Sequence, residues 1–299
     1  MSYGYIVALF DILGFEQRLA RLGLREMQAR YEALIKVVDY RKEQAQRVFG
    51  NLGFKEAPYW TAEGDVFTFN KVYGAYASDS ILLWADRTWP EARGVELAVC
   101  RERATNPADG WIYHPIPCDS FLDVCNDLIC RGLEVGLPLR GAIAVGEAVL
   151  NPDQNIFLGQ PIVEAARLEN GHQLIGTSFC ISGMNQLIPP RFTLQFSSYI
   201  KESHRQRWGG AMLDWPRHWR KSRKSDLRNA VQMLDTESEH SSYYLNTLEL
   251  IAHSAQRADL FESPEETSIR SQYEQFKWSN AQLSLPARAV RRVSVSPIV

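Results

Sequence analysis

The sequence predicts an α+β fold: a ferredoxin-like β-α-β-β-α-β core with one insertion and a C-terminal helical extension. Three observations predict it. Apolar runs and stretches of helical periodicity follow one another in the order strand, helix, hairpin, helix, strand, helix, strands. Two of the apolar runs carry an acid where they end or bend, at Asp11 and Asp79. From Trp215 onward the apolar runs give way to a basic, helical pattern.

Tyr3 to Asp11 reads as a buried strand, because Tyr, Ile, Val, Leu and Phe dominate it and Gly14 breaks the pattern. Met27, Tyr31, Leu34, Ile35 and Val38 fall at helical spacing and predict a long amphipathic helix. Asn51 to Thr61, with Gly53 and Pro58, reads as a connection. Val66 to Trp84 reads as a hairpin bending near Ala77 to Asp79. Thr88 to Pro117 is rich in Trp, Pro and Arg, with a short helix expected around Glu91 to Arg101, and marks an insertion at about 86–117. Phe121, Val124, Cys125, Leu128 and Ile129 define the next helix, which stops near Gly136 and Pro138 and leaves Cys125 as a buried thiol. Leu139 to Leu150 is a strand, followed by the turn Asn151-Pro152-Asp153. A helix is expected from Pro161 to Glu169, and strands at Arg191 to Ser197 and Gly210 to Asp214. The expected organisation is a core domain over residues 1–215, a helical extension over 216–285 and an irregular tail over 286–299.

Composition excludes several classes. Hydrophobic residues make up 45% of the 299, enough to build a core and too many for wholesale disorder. The net charge of -2 exerts no general pull on nucleic acid or anionic membrane, so neither is an expected partner and an anionic ligand needs a local site. The basic run Arg217, Arg220, Lys221, Arg223, Lys224 and Arg228 is short and is expected to be a solvated helix face. The apolar stretch Tyr5 to Leu13 is interrupted by Asp11 and has no basic leader, so no signal peptide or membrane span is expected. Five cysteines without a C-x-x-C pair argue against a disulfide framework or structural zinc and for a reducing, cytoplasmic setting.

Three segments carry chemistry. In Phe10-Asp11-Ile12-Leu13-Gly14-Phe15 a carboxylate ends a buried strand, a glycine lets the backbone approach a ligand, and the N–H groups of a new helix favour phosphate. An Asp capping that helix is the simpler alternative. In Tyr76-Ala77-Ser78-Asp79-Ser80 a second acid stands at a turn leading into a buried strand, where an ordinary turn aspartate is the alternative. A right-handed crossover brings the first strand beside the hairpin, so the two acids would meet at one sheet edge. Divalent cations on phosphates take one or two carboxylates. In Phe157 to Glu169, Pro161 suits a first helical turn and Arg167 projects where its fork reaches phosphate oxygens or, alternatively, pairs with Glu164 or Glu169.

Together with Arg140-Gly141-Ala142-Ile143-Ala144-Val145-Gly146-Glu147, these segments, in this order, resemble the motifs of class III nucleotide cyclases over roughly residues 1–215. The resemblance implies that Asp11, Asp79 and the Ile12 carbonyl hold two Mg2+ or Mn2+ ions. It implies that Gly14 and Phe15 border the triphosphate, that Lys201 binds it, a solvated loop lysine being the alternative, and that Arg167 is the transition-state arginine acting across a homodimer. The 3′-hydroxyl would then displace pyrophosphate from the α-phosphate. Departures point to a branch: Val163 replaces the family's ribose-orienting asparagine, with Glu164 as a neighbouring substitute. Ala75 and Ile156 replace the purine-reading pair. The chain in this resembles the pyrimidine cyclases of bacterial Pycsar anti-phage systems, which make cyclic UMP or cyclic CMP for a partner effector. UTP is the expected substrate, CTP the alternative, with Tyr73 and Tyr76 on the hairpin as base contacts. A non-catalytic nucleotide sensor and a polymerase-like palm are the rival readings.

Overall fold

The computed structural model describes residues 3–50, 72–86, 118–184, 188, 192–223, 225–232, 234 and 241–256. The predicted insertion lies almost wholly outside them, as do the connection at 51–61, the start of the predicted hairpin and the tail.

The core follows the predicted order. Strand β1 (Tyr3–Ile12) leads into helix α1 (Phe15–Leu22), and helix α2 (Leu24–Gly50) follows after Gly23. The hairpin is β2 (Tyr73–Ala77) and β3 (Ser80–Asp86), then come helix α3 (Asp119–Glu134) and strand β4 (Leu139–Asn151). These four strands lie in the order β2-β3-β1-β4 and are antiparallel throughout, the arrangement two interleaved β-α-β crossovers produce. The chain continues through β5 (Ile156–Gly159), α4 (Gln160–Glu169), β6 (Gly176–Cys180), α5 (Ile181–Met184), β7 (Thr193–Leu194), α6 (Glu202–Arg205) and β8 (Trp208–Leu213). Strand β6 joins β4 in parallel, β8 and β7 extend the sheet, and β5 folds back on the end of β4.

Alternation along β1 sorts its side chains onto two faces. Ile6, Ala8, Phe10 and Ile12 enter the larger core, with Leu34 and Val38 of α2 and Phe121, Leu122, Leu128 and Ile129 of α3. Val7 faces the other side, where Leu82, Trp84, Ala142 and Ala144 pack beneath Ala165 and Leu168 of α4. Asp11 shares the parity of Val7 and so belongs to the α4 side. Gly141 has no side chain for a physical reason: a Cβ there would lie 2.7 Å from the Leu9 carbonyl oxygen and 2.6 Å from Phe10.

The C-terminal helices are α7 (Trp215–Ser222), α8 (Leu227–Gln232) and α9 (Ser241–Gln256). They put Trp215, Trp219, Tyr244, Leu250 and Ile251 into the larger core. The basic run is the predicted solvated face only in part: Arg220, Lys221 and Arg228 are exposed, and Lys224 lies outside the described residues. Arg217 is buried, Arg220 donates to Ser254 on α9, and Arg223 pairs with Asp127 and Glu134 of α3. Of the expected strand at 191–197, the described residues form β7, in which Thr193 and Leu194 pair with β8. Cys125 is buried as expected. Among the described residues, no helix is long and apolar enough to cross a membrane.

Candidate functional site

Register brings distant residues together. On β4, Arg140 lies directly opposite Asp11, and on the other flank β3 sets Ser80 opposite Asp11. Asp79 precedes Ser80 in a tight turn in which Ser78 takes a positive φ of 55°. The Ile12 N–H donates to the Asp79 carbonyl oxygen at 3.0 Å, which ties the turn to the end of β1. The two acids therefore share one end of the sheet, near enough for a hydrogen bond between their carboxyls. Burial holds the Asp11 carboxyl above its usual range, Arg140 opposes the shift, and the Asp79 charge adds to it.

Arg140 lies between two acids. Its Nη2 and Nε are each 3.0 Å from Asp11 Oδ2. Its Nε is also 2.6 Å from Glu169 Oε1 at the end of α4, an ion pair whose angle leaves that buried oxygen without a hydrogen bond. Glu169 is pushed up to about 7 by burial, with Arg140 pulling it down and Asp11 and Asp79 pushing it further up. Beside it, His172 is fully buried, and its ring has only a poorly aligned contact with the Gly176 backbone for a polar partner. Burial and the Arg140 charge depress His172 to about 3. Arg140 and Glu169 were quoted in the sequence motifs without a role in this site. Only the strand register and the end of α4 reveal that they meet Asp11.

The other predicted residues divide between two faces. Gly14 takes a left-handed conformation, φ 68°, and opens α1, as the glycine turn requires. Phe15 is half-buried and packs on the larger core. Tyr73 and Tyr76, three apart on β2, face opposite sides. Tyr73 stacks on Trp84 at 5.6 Å on the α4 side, with Ala75, whereas Tyr76 packs edge-on to Tyr31 of α2 at 6.5 Å. Arg167 is exposed and, among the described residues, makes no ion pair, so neither Glu164 nor Glu169 holds it. Val163 is exposed one turn before it, and Ile156 is exposed on β5. The Glu164 carboxylate accepts the Ser182 N–H at 3.3 Å. Lys201 caps the turn after α4, its Nζ donating to the Asn170 carbonyl at 3.2 Å, and its charge reaches Glu169. A separate surface cavity lined by Ala33, Lys36, Val37, Asp127, Arg131 and Arg223 contains none of these residues.

Among the described residues no three His, Cys, Asp or Glu side chains are set to hold a metal ion. The chemistry of the paired acids nevertheless fits one class of ion. Asp11 and Asp79 are hard oxygen donors at one sheet edge. Arg140 pairs with Asp11 and Glu169, and the Asp79 charge acts on both of those carboxyls. Mg2+-type cations accept one or two carboxylates and complete their shell with water and phosphate oxygens.

No family model and no curated protein sequence matches the chain. Solved structures with some similarity include the catalytic core of a rhodopsin-guanylyl cyclase with converted specificity, in complex with ATPalphaS. That match has 14% identity and a TM-score of 0.35, and covers 67% of this chain and 92% of that one. A bacterial light-regulated adenylyl cyclase matches at 12% identity and TM-score 0.31, over 61% of this chain and 78% of that one. A class III adenylyl cyclase-like ATP-binding protein from Pseudomonas aeruginosa matches at 10% identity and TM-score 0.28, over 87% of this chain and 44% of that one.

Proposed function

We propose that this chain is a class III-type nucleotide cyclase that converts UTP, or CTP as the alternative, to the cyclic 3′,5′-monophosphate and pyrophosphate. The observation that carries the reading is the meeting of Asp11 and Asp79 at one sheet edge, 68 positions apart in sequence (79 − 11). Asp11, Asp79 and the Ile12 carbonyl would hold two Mg2+ or Mn2+ ions, which when bound neutralise phosphate charge and lower the pKa of the attacking hydroxyl.

The chain's own residues do the rest by positioning and charge. Arg140, turned from Asp11 and still paired with Glu169, would offer its charge to phosphate oxygens, and Lys201 adds charge at the same end. Gly14 leaves the backbone at the start of α1 open to the triphosphate. The bond from the 3′-oxygen to the α-phosphorus forms, and the bond from that phosphorus to the β-phosphate oxygen breaks. The hydroxyl proton leaves to solvent. Arg167, exposed and unpaired among the described residues, would serve the site of a second copy in a homodimer. Its charge would act on the pentacovalent transition state.

Base choice rests on the α4 side of the sheet. Ala75 and Ile156 offer no hydrogen bond to a purine edge, and the Tyr73–Trp84 stack lies beside Ala75. A pyrimidine cyclase of this kind would be the signal-making enzyme of a bacterial anti-phage system, acting in the cytoplasm with a cyclic-nucleotide-sensing effector. One observation favours a second reading, a nucleotide sensor without turnover: Arg140 occupies the Asp11 oxygen that a cation would need.

Equal UTP, CTP, ATP and GTP, supplied together with Mn2+, separate the readings. Cyclic UMP as the main product is expected. Cyclic CMP would overturn the uracil preference, cyclic AMP or cyclic GMP the pyrimidine reading. Nucleotide binding without any product would favour the sensor.

A further inference from the structure

Arg18 is a buried guanidinium, only 2% exposed, on α1 just beyond the glycine turn. Its fork ties three segments together. Nε donates to the Leu13 carbonyl at 2.9 Å, Nη1 to the Gly136 carbonyl at 2.9 Å, and Nη2 to the Tyr244 hydroxyl at 2.8 Å. Leu13 follows Asp11 and Ile12 directly, and its own N–H donates to the Pro138 carbonyl. Gly136 and Pro138 belong to the turn that starts β4 and so place Arg140. Tyr244 lies on α9, is 1% exposed, and stands 226 positions from Arg18.

Burying a cation is expensive, and these three partners are neutral acceptors. A leucine in that space would fill the core at lower cost. What a leucine lacks is direction: a planar fork fixes three acceptors relative to one another. Helix α9 is itself anchored on the far side, where Thr247 Oγ1 accepts the Ile175 N–H at 2.9 Å and Asn246 donates to the Gln173 carbonyl at 2.7 Å.

We propose that Arg18 and Tyr244 are positioning residues for the Asp11–Leu13 segment at the end of β1, through which the C-terminal helix α9 sets the divalent-cation affinity of the acid pair. The inference rests on the reading that Asp11 and Asp79 hold the cation. Tyr244 holds the fork, the fork holds the Leu13–Gly14 peptide through its carbonyl, and the adjoining Ile12–Leu13 peptide, whose N–H is held by the Pro138 carbonyl, keeps one orientation beside the acids. Partners one step removed from a metal ligand typically alter affinity by about 10- to 100-fold when changed.

The test is Mn2+ binding to the full-length protein without nucleotide, followed by the electron paramagnetic resonance signal of the free ion, with thermal unfolding of each variant alongside. Tyr244→Phe, which removes one oxygen, is expected to weaken Mn2+ binding at least about tenfold. Arg18→Lys, which keeps the charge and loses the fork, is expected to do the same. In turnover assays Tyr244→Phe should need more Mn2+ yet approach wild-type kcat at saturation. Thr247→Val, on the same helix but facing Ile175, is expected to lower thermal stability and leave Mn2+ affinity unchanged. Wild-type affinity in Tyr244→Phe overturns the inference, as does equal weakening in Thr247→Val. Asp11→Ala distinguishes the underlying failure: if it binds Mn2+ like wild type, the cation site itself is wrong and the inference falls with it.

Discussion

The pH dependences that two buried groups beside Arg140 give to folding stability should nearly cancel between pH 7 and pH 4.5, and removing either should expose the other. Glu169 has its pKa raised from 4.5 to about 7, first by burial. Its contribution to stability is therefore fully present below 4.5 and lost as pH rises through 7. His172 has its pKa depressed from 6.5 to about 3, also first by burial. Its contribution is present above 6.5 and lost as pH falls toward 3. Going from pH 7 to pH 4.5, the linkage gains roughly 2–3 kcal/mol from Glu169 and loses a similar amount from His172. The two nearly offset. Glu169→Gln keeps the shape and removes the titration, so that variant should lose roughly 2–3 kcal/mol on acidification relative to wild type. His172→Phe fills the cavity with a ring that needs no hydrogen bond, and should gain a similar amount. Urea unfolding at the two pH values, without divalent cation, measures both. The difference between each variant and wild type removes the background from other carboxylates. A Glu169→Gln or His172→Phe variant with the wild-type pH dependence would refute the assignment of these titrations.

Three further outcomes are expected. Mixing inactive Asp11→Ala with inactive Arg167→Ala should restore roughly a quarter of wild-type activity, because half of the two-fold dimers are mixed and each has one intact site; no recovery despite demonstrated subunit exchange counts against shared sites. Gly141→Ala should destabilise by about 1–3 kcal/mol in urea unfolding, since the new methyl meets the fixed Leu9 carbonyl. Phe10→Ala, emptying a fully buried position of β1, should destabilise by about 3–5 kcal/mol.

The alternating core was legible because apolar periodicity and its interruptions are properties of the sequence. The strand ending at Asp11, the bend at Ser78 and Asp79, and the helix after Gly159 were all expected within a residue or two of where they occur. Strand β6 was not, because it is buried on both sides by close neighbours and uses Gly176, Thr177 and Ser178, small polar residues that carry no apolar signal. The Arg217–Arg228 run misled in part, at Arg217 and Arg223, for the converse reason. Charge reads as exposure until the partners on α3 and α9 are known, and they lie far away in sequence. The meeting of Asp11 and Asp79 followed from topology alone. The placement of Arg140 opposite Asp11 needed strand register, which a one-residue slip would have reversed. The separation of Tyr73 from Tyr76 was readable from period-two alternation once β2 was fixed.

The central claim is that Asp11 and Asp79 serve cyclisation of a nucleoside triphosphate. Full-length protein with UTP and Mn2+, no template and no other nucleotide, tests it by quantifying cyclic UMP and pyrophosphate together by mass spectrometry. The account predicts equal amounts of both from wild type and neither from an Asp79→Ala variant that keeps its circular dichroism and unfolding temperature. Asp79→Ala turning over like wild type would contradict it, as would pyrophosphate released without a cyclic product.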